Sequence, residues 1–206
     1  MKTKYKIIIV LIVSVSLISC EPSNDEYHPL PEEYHTELKN NDTLIYQSET
    51  DYDTIFVKAL LNATQQHSLS GSSLKGPYKI YEIQCLYFYF NADDIKDCNL
   101  NFDDSIQYDY GEGMTWSRDS PNCYKSIKVS YGKNRVYKPL IFFMDKMYKL
   151  ENLNENYSVN GIMLKNVYYF VSLDSIPISE IYYNHKLGIV KYKYENKYYE
   201  LITKTQ

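Results

Sequence analysis

Glycine, proline, arginine and tryptophan are all scarce in this chain of 206 residues. With only 7 glycines and 7 prolines, the sequence does not fit a collagen-like or proline-rich scaffold. Arginine occurs only at Arg118 and Arg135 and the formal net charge is −4, so the chain lacks the positive field that a phosphate backbone requires. Nucleic acid is therefore excluded as a partner. A hydrophobic content of 44% still suffices for a globular core.

The common enzyme signatures are also absent from the sequence. There is no Gly-x-Ser-x-Gly, no His-Glu-x-x-His and no glycine-rich phosphate loop. The four histidines, at positions 28, 35, 67 and 185, have no spacing typical of a metal site. The sequence therefore predicts a protein without catalytic residues, cofactor or metal.

No apolar run is long enough to cross a bilayer as a helix. The longest, Ile7–Ile18, follows three lysines and falls short of the about 20 residues that a span needs, which is typical of a signal peptide. The run ends in Leu17-Ile18-Ser19-Cys20, which resembles the lipobox of bacterial lipoproteins. The resemblance implies cleavage after Ser19 and a diacylglyceryl group on the Cys20 thiol. An ordinary secretory signal beside an unmodified Cys20 is the alternative.

Three segments follow from this interpretation: a signal peptide at 1–19, an acylated cysteine with a flexible acidic tether at 20–41, and a single β domain at 42–206. Prolines and acids without apolar periodicity favour an extended, solvated tether. Loss of the three signal-peptide lysines lowers the formal charge from −4 to −7. The acidic stretch after Cys20 resembles signals that export lipoproteins to the outer face of the outer membrane; its periplasmic face is the alternative location.

Three cysteines remain after Cys20, and export permits a disulfide between two of them. Cys98 and Cys123 both lie beside turn-rich segments and are the predicted pair. Cys85 lies in a run of tyrosine and phenylalanine and is expected to be a small buried side chain.

The rest of the chain has the two-residue period of β-strands. Residues 78–90 form a predicted strand that carries apolar side chains on both faces at its far end, so we expect that end to be covered on two sides. Asn160-Gly161 predicts a hairpin turn, and a meander follows it to the C-terminus. Residues 64–77 are a predicted loop, 145–156 are irregular, and 55–63 also fit a helix. We expect a mainly β fold, an antiparallel sandwich or a curved, partly open barrel of eight to ten strands.

Several segments are similar to small envelope lipoproteins of the Bacteroidota. They are Leu17–Cys20, the run from Asp42 to Ser48, the stretch from Ser158 to Tyr168, and Tyr182-Tyr183-Asn184 with Gly188–Tyr192. The resemblance implies an envelope location and brings no activity with it. The stretch beginning at Gly188 also resembles part of half-barrel lipoprotein carriers.

The 24 tyrosines have two interpretations. Aromatic faces can stack on sugars, but tyrosine also favours half-buried strands, and paired tyrosines point to opposite faces. Trp116 with Arg118, in a loop, is the best candidate for ligand contact. The acidic residues at 93–104 are a weaker calcium candidate because they lack the EF-hand order.

Four tripeptides combine aspartate, serine or threonine, and an aliphatic residue. They resemble the O-glycosylation acceptor motif of exported proteins in the same bacterial group, which makes Thr43, Thr54, Ser105 and Ser175 candidate acceptors. The alternative is structural: aspartate ends a turn and the next residues open a strand.

These observations predict a lipid-anchored envelope protein with a binding or structural role, whose expected partner, through the lipid anchor, is the membrane. A surface module for glycan or for an envelope protein is one alternative. A carrier of a lipid-like molecule is another, and it requires a cavity lined by Tyr87, Phe88, Tyr168 and Phe170.

Overall fold

The computed structural model describes residues 26–68, 78–91, 107–110, 113–114, 126–132, 138–144 and 146–205. These residues form strands and one 3₁₀ helix, Glu32–Tyr34, without any α-helix. The strands are β1 Glu26–His28, β2 Thr43–Gln47, β3 Tyr52–Ser68, β4 Tyr78–Tyr89, β5 Gln107–Tyr110, β6 Gly113–Met114, β7 Ile127–Gly132, β8 Leu140–Phe143, β9 Lys146–Val159, β10 Ile162–Ser172, β11 Ile178–Asn184, β12 Gly188–Tyr194 and β13 Lys197–Thr205.

Ten of these strands close into an antiparallel barrel. The ring runs β2, β3, β4, β7, β8, β9, β10, β11, β12, β13 and returns to β2. Closure comes from β13 and β2, which pair from Glu200 opposite Gln47 to Thr205 opposite Thr43. β1 adds to β4 in parallel, while β5 pairs with β3 and β6 with β5. The mainly β prediction is confirmed, and the architecture is a barrel rather than a sandwich.

The barrel interior is filled by alternate side chains of its strands. In β2 the buried side chains are Leu44 and Tyr46, and the facing β3 buries Ile55 and Val57. Because successive strand residues point to opposite faces, this alternation directs one apolar set inward. Burial of each such side chain contributes about 1.5–3 kcal/mol. The main core also contains Phe88, Ile127, Val129, Ile141, Phe143, Tyr148, Tyr168, Phe170, Ile181, Tyr183, Ile189 and Tyr192.

The C-terminal half of β4 is buried on both faces, as its sequence predicts. Every residue from Gln84 to Tyr89 is buried, although only alternate side chains can face the barrel core. Cys85 is 2% exposed, in agreement with the expectation of a small buried side chain.

The alternative of a helix at 55–63 is wrong, because this segment lies within β3. β-Branched and aromatic side chains favour its pairing with β2 and β4, and a register shift between Leu60 and Ala63 interrupts the β4 ladder. β3 also continues to Ser68, so residues 64–68 of the predicted loop are strand, and residues 69–77 lie outside the described residues. Residues 146–156 of the stretch predicted to be irregular are part of β9.

The described part of the predicted tether packs against the barrel. Residues 29–42, here called the strap, follow β1 and bury Leu30 and Leu38 in the main core. Backbone bonds hold the strap in place: Glu37 N–H donates to Lys186 O at 2.9 Å, and Asn41 N–H donates to Val57 O at 2.9 Å. The composition of residues 20–41 predicts a solvated tether. From residue 26 onward, however, this segment is part of the folded domain.

The β9–β10 hairpin has the predicted turn. Asn160 and Gly161 both have positive φ, 46° and 79°, as a type I′ turn requires. The Asn160 amide donates a hydrogen bond of 2.7 Å to Leu201 O of β13. Beside this contact, a second small core buries Val159 and Val167 of the hairpin against Val190 of β12.

Candidate functional site

A cavity of about 700 Å³ lies where the strap meets the hairpin and the β11–β12 turn. This volume falls within the range of about 300–1,000 Å³ that is usual for small-molecule sites. We call it the end cavity. Its lining residues are Glu33, Tyr34 and Glu37 from the strap, Met163, Leu164, Lys165 and Asn166 from β10, and Asn184, His185, Lys186 and Leu187 from β11 and the following turn.

His185 joins the end cavity to the barrel core. It lines the cavity yet is only 5% exposed. Three tyrosine rings meet its imidazole in edge-on geometry, with centroid separations of 5.3 Å to Tyr34, 5.2 Å to Tyr168 and 5.7 Å to Tyr183. Edge-on aromatic contacts fix the relative orientation of rings. The inner wall of the cavity is therefore built on aromatic contacts.

The β11–β12 turn is shaped by the Asn184 side chain and by Gly188. The Asn184 carbonyl oxygen accepts from Lys186 N–H at 3.1 Å and from Leu187 N–H at 3.2 Å, which closes an asparagine turn. Its amide nitrogen donates to Lys165 O at 2.8 Å, so the same side chain ties the turn to β10. Gly188 ends the turn with a φ of +79°, a conformation that glycine adopts readily.

A second group of tyrosines lies on the outer face of the barrel. We call this group the outer tyrosine cluster, and its members are Tyr157, Tyr169, Tyr182 and Tyr198. Tyr182 stacks on Tyr169 with centroids 4.7 Å apart and on Tyr157 at 5.2 Å. The Lys191 ammonium lies 4.7 Å from the centroid of the Tyr198 ring. Since these rings already cover one another or hold a lysine, the cluster is better suited to stabilising the wall than to stacking on sugars.

Glu180 of β11 connects the outer tyrosine cluster to β12. Its carboxylate accepts from Tyr169 Oη at 3.1 Å and from Tyr198 Oη at 3.0 Å, and it pairs with Lys193 Nζ at 3.1 Å. Burial and the neighbouring Glu180 carboxylate raise the pKa of Tyr169 to about 12. The cluster is thus a hydrogen-bonded network with a charged centre.

Replacing Glu180 by alanine should lower the free energy of unfolding by about 2 kcal/mol. Three donors lose a charged acceptor whose side chain is only 14% exposed. Urea unfolding followed by circular dichroism measures the change. Glu155→Ala, at an exposed position of β9, is the matched control and should stay within about 0.5 kcal/mol of wild type. Equal losses in the two variants would contradict the role given to Glu180.

Several predicted site residues lie outside the described residues. They are Cys20, Cys98, Ser105, Trp116, Arg118 and Cys123, together with the acidic candidates at 93–104. The ligand-contact, disulfide and lipid-attachment predictions therefore stay predictions. Among the described residues, no group of three or more histidine, cysteine, aspartate or glutamate side chains is arranged to hold a metal ion.

The remaining glycosylation candidates differ in exposure. Thr43 and Thr54 are half-buried at the start of β2 and in β3, whereas Ser175 is exposed between β10 and β11. Their aspartates have structural partners: Asp42 accepts from Lys39 N–H at 2.9 Å, and Asp53 accepts from the Tyr192 hydroxyl. These bonds agree with the turn-and-strand interpretation, and Ser175 is the most accessible acceptor in the described part of the chain.

The four residues expected to line a carrier cavity are not gathered around one space. Phe88, Tyr168 and Phe170 pack in the main core, while Tyr87 follows the opposite face of β4. The end cavity uses other residues, and the sequence interpretation missed them because it placed Glu33 and Tyr34 in the tether. The signal was present in the isolated apolar residues Leu30 and Leu38, which interrupt that polar segment.

The comparisons with protein families, with curated proteins and with solved structures found no match. Within the described ranges, none of the helical structure has the length and apolar character of a transmembrane helix. The candidate site is accordingly defined by the chain's own geometry: a cavity between strap, hairpin and turn, with aromatic, charged and apolar walls.

Proposed function

We propose that this protein is a lipid-anchored envelope lipoprotein that binds a small ligand in the end cavity without transforming it. The observation that carries the binding role is the cavity itself, whose volume of about 700 Å³ suits a small molecule. Its walls combine apolar side chains with a few polar groups, a usual composition for ligand sites. The three edge-on ring contacts of His185 below it favour a preformed site.

The anchor is supported by the sequence from Leu17 to Cys20 and by the place where the chain reaches the barrel. Only five residues separate Cys20 from Glu26, the first residue of β1. Extended chain spans at most about 3.6 Å per residue, so acylated Cys20 holds β1 within about 20 Å of the bilayer surface. The strap follows β1 directly, which keeps the end cavity close to the anchored part of the chain. An outer-membrane location, with the outer face preferred to the periplasmic one, completes the proposal.

Replacing Cys20 by serine should release the protein from membranes. Two or three acyl chains hold a protein firmly, and a serine hydroxyl takes no thioether-linked lipid. Cell fractionation followed by immunoblotting measures the distribution, and Ser23→Ala, three residues further on, is the control that keeps the thiol. A serine variant that sediments with washed membranes as wild type does would contradict the anchor while leaving the cavity untouched.

A further inference from the structure

The charged side chains of the end cavity are divided between its walls. The strap contributes two carboxylates, Glu33 and Glu37, and the other elements contribute two ammonium groups, Lys165 from β10 and Lys186 from the turn. The cavity is therefore formally neutral in these four groups, with the acidic groups on one element and the basic groups on others. A polyanion or a polycation would meet repulsion at one wall.

Only two of these four charged side chains form an ion pair with each other. Lys186 Nζ lies 4.0 Å from Glu37 Oε1, so these two side chains form an ion pair across the cavity edge. Neither Glu33 nor Lys165 has an ion-pair partner among the residues that the structure describes. One carboxylate from the strap and one ammonium group from β10 thus remain in the cavity lining for a ligand to meet.

The remaining lining suits the body of a small organic ligand. Tyr34 stands next to Glu33 in the strap, and an aromatic face beside a carboxylate is a favourable place for a cation. Asn166 stands next to Lys165 on the other wall and offers amide donors to an anion. Met163, Leu164 and Leu187 supply apolar contact, so an uncharged carbon skeleton can lie between the two polar ends.

We propose that the end cavity binds a small zwitterionic ligand of the class of amino acids and short peptides. Its ammonium group pairs with Glu33 beside Tyr34, and its carboxylate pairs with Lys165 beside Asn166. This inference rests on the proposed binding role and names the ligand class for that same site. A neutral sugar would leave both charged groups to water, whereas a zwitterion engages both.

The test uses the detergent-solubilised full-length protein and four defined probes: trialanine, N-acetyl-trialanine, trialanine amide and maltotriose. Isothermal titration calorimetry measures each affinity. Trialanine should bind, and removal of either terminal charge should weaken binding about tenfold, as expected for loss of one charge-assisted hydrogen bond. Maltotriose should bind more weakly than trialanine.

Two variants connect the effect to the named residues. Glu33→Gln should weaken trialanine about tenfold and abolish the preference for trialanine over its N-acetyl form. Lys165→Gln should likewise weaken trialanine about tenfold and abolish the preference for trialanine over trialanine amide. Glu49→Gln, in the exposed β2–β3 turn, and Lys138→Gln, exposed before β8, are the charge-matched controls and should leave all affinities unchanged.

Each other outcome overturns the inference. Equal affinity for the capped peptides, or equal effects of Glu33→Gln and Glu49→Gln, shows that the wall charges do not select the ligand. Binding of maltotriose alone rejects the zwitterion but retains a binding role for the cavity. No binding by any probe rejects the proposed ligand class, while the Cys20→Ser fractionation decides the anchor independently.

Discussion

Replacing Gly188 by alanine should destabilise the barrel by about 3 kcal/mol, the largest effect that we expect from a single methyl group in this protein. Gly188 has a φ of +79°, which costs an L-residue about 1–2 kcal/mol. Its Cβ would also lie 2.6 Å from Leu38 Cδ1 and 3.0 Å from two ring atoms of Phe88. Overpacking of this kind typically costs a further 1–3 kcal/mol or so. Urea unfolding followed by circular dichroism measures the loss.

Gly161 provides a control with the same backbone conformation. Its φ is also +79°, but a Cβ there would have no atom within 4 Å. Gly161→Ala should therefore lose only the backbone contribution, about 1–2 kcal/mol. In the Gly188→Ala background, Leu38→Ala should cost less than it does alone, because it removes the clashing methyl. Equal losses at the two glycines would show that the strap does not press on Gly188.

Alkaline solution should unfold the protein steeply above about pH 10. Burial raises the pKa of Tyr46, Tyr148 and Tyr192 well above the ordinary value, and the hydrogen bond to Asp53 adds to the effect at Tyr192. A raised pKa in the folded state means that the stability is complete below the unfolded pKa, about 10, and is lost as pH rises beyond it. Three such tyrosines together should lower the free energy of unfolding by about 4 kcal/mol for each pH unit within that window.

The measurement is the urea midpoint between pH 8 and 11.5, with tyrosinate absorbance followed in parallel. Stability should be nearly constant below about pH 9.5, and part of the tyrosinate signal should appear only together with unfolding. Tyr192→Phe should reduce the slope by about 1.4 kcal/mol per pH unit. Tyr52→Phe, at a side chain 69% exposed, should leave the slope unchanged. A gradual titration of every tyrosine without unfolding would refute this prediction.

The C-terminal meander could be predicted from sequence because local signals there agree with the fold. Asn160-Gly161 forms the expected turn, and β11 places Ile181 and Tyr183, two residues apart, in the core as a patterned strand should. β9 could not be predicted in the same way. Most of its side chains are exposed and only Tyr148 and Val159 are buried, so the apolar alternation that marks a strand is missing.

The end cavity could not be derived from local pattern at all. Its walls come from residues 33–37, 163–166 and 184–187, which meet only when the strap crosses to the β11–β12 turn. Composition placed Tyr34 in a solvated segment because prolines and acids surround it. The burial of Leu38 against Gly188 and Phe88 overrides that local preference. The intrinsic conformational propensity of such a segment determines its structure only where its tertiary contacts are weak.

The pairing of β2 with β13 has a consequence for biogenesis. The ring cannot close until Thr205, the last residue of β13, has emerged to meet Thr43. Contacts between such distant parts of a chain form slowly, and the incomplete chain would meanwhile present open backbone edges at both β2 and β12. We therefore expect aggregation of the nascent chain to be most pronounced before the nine residues of β13 have been synthesised.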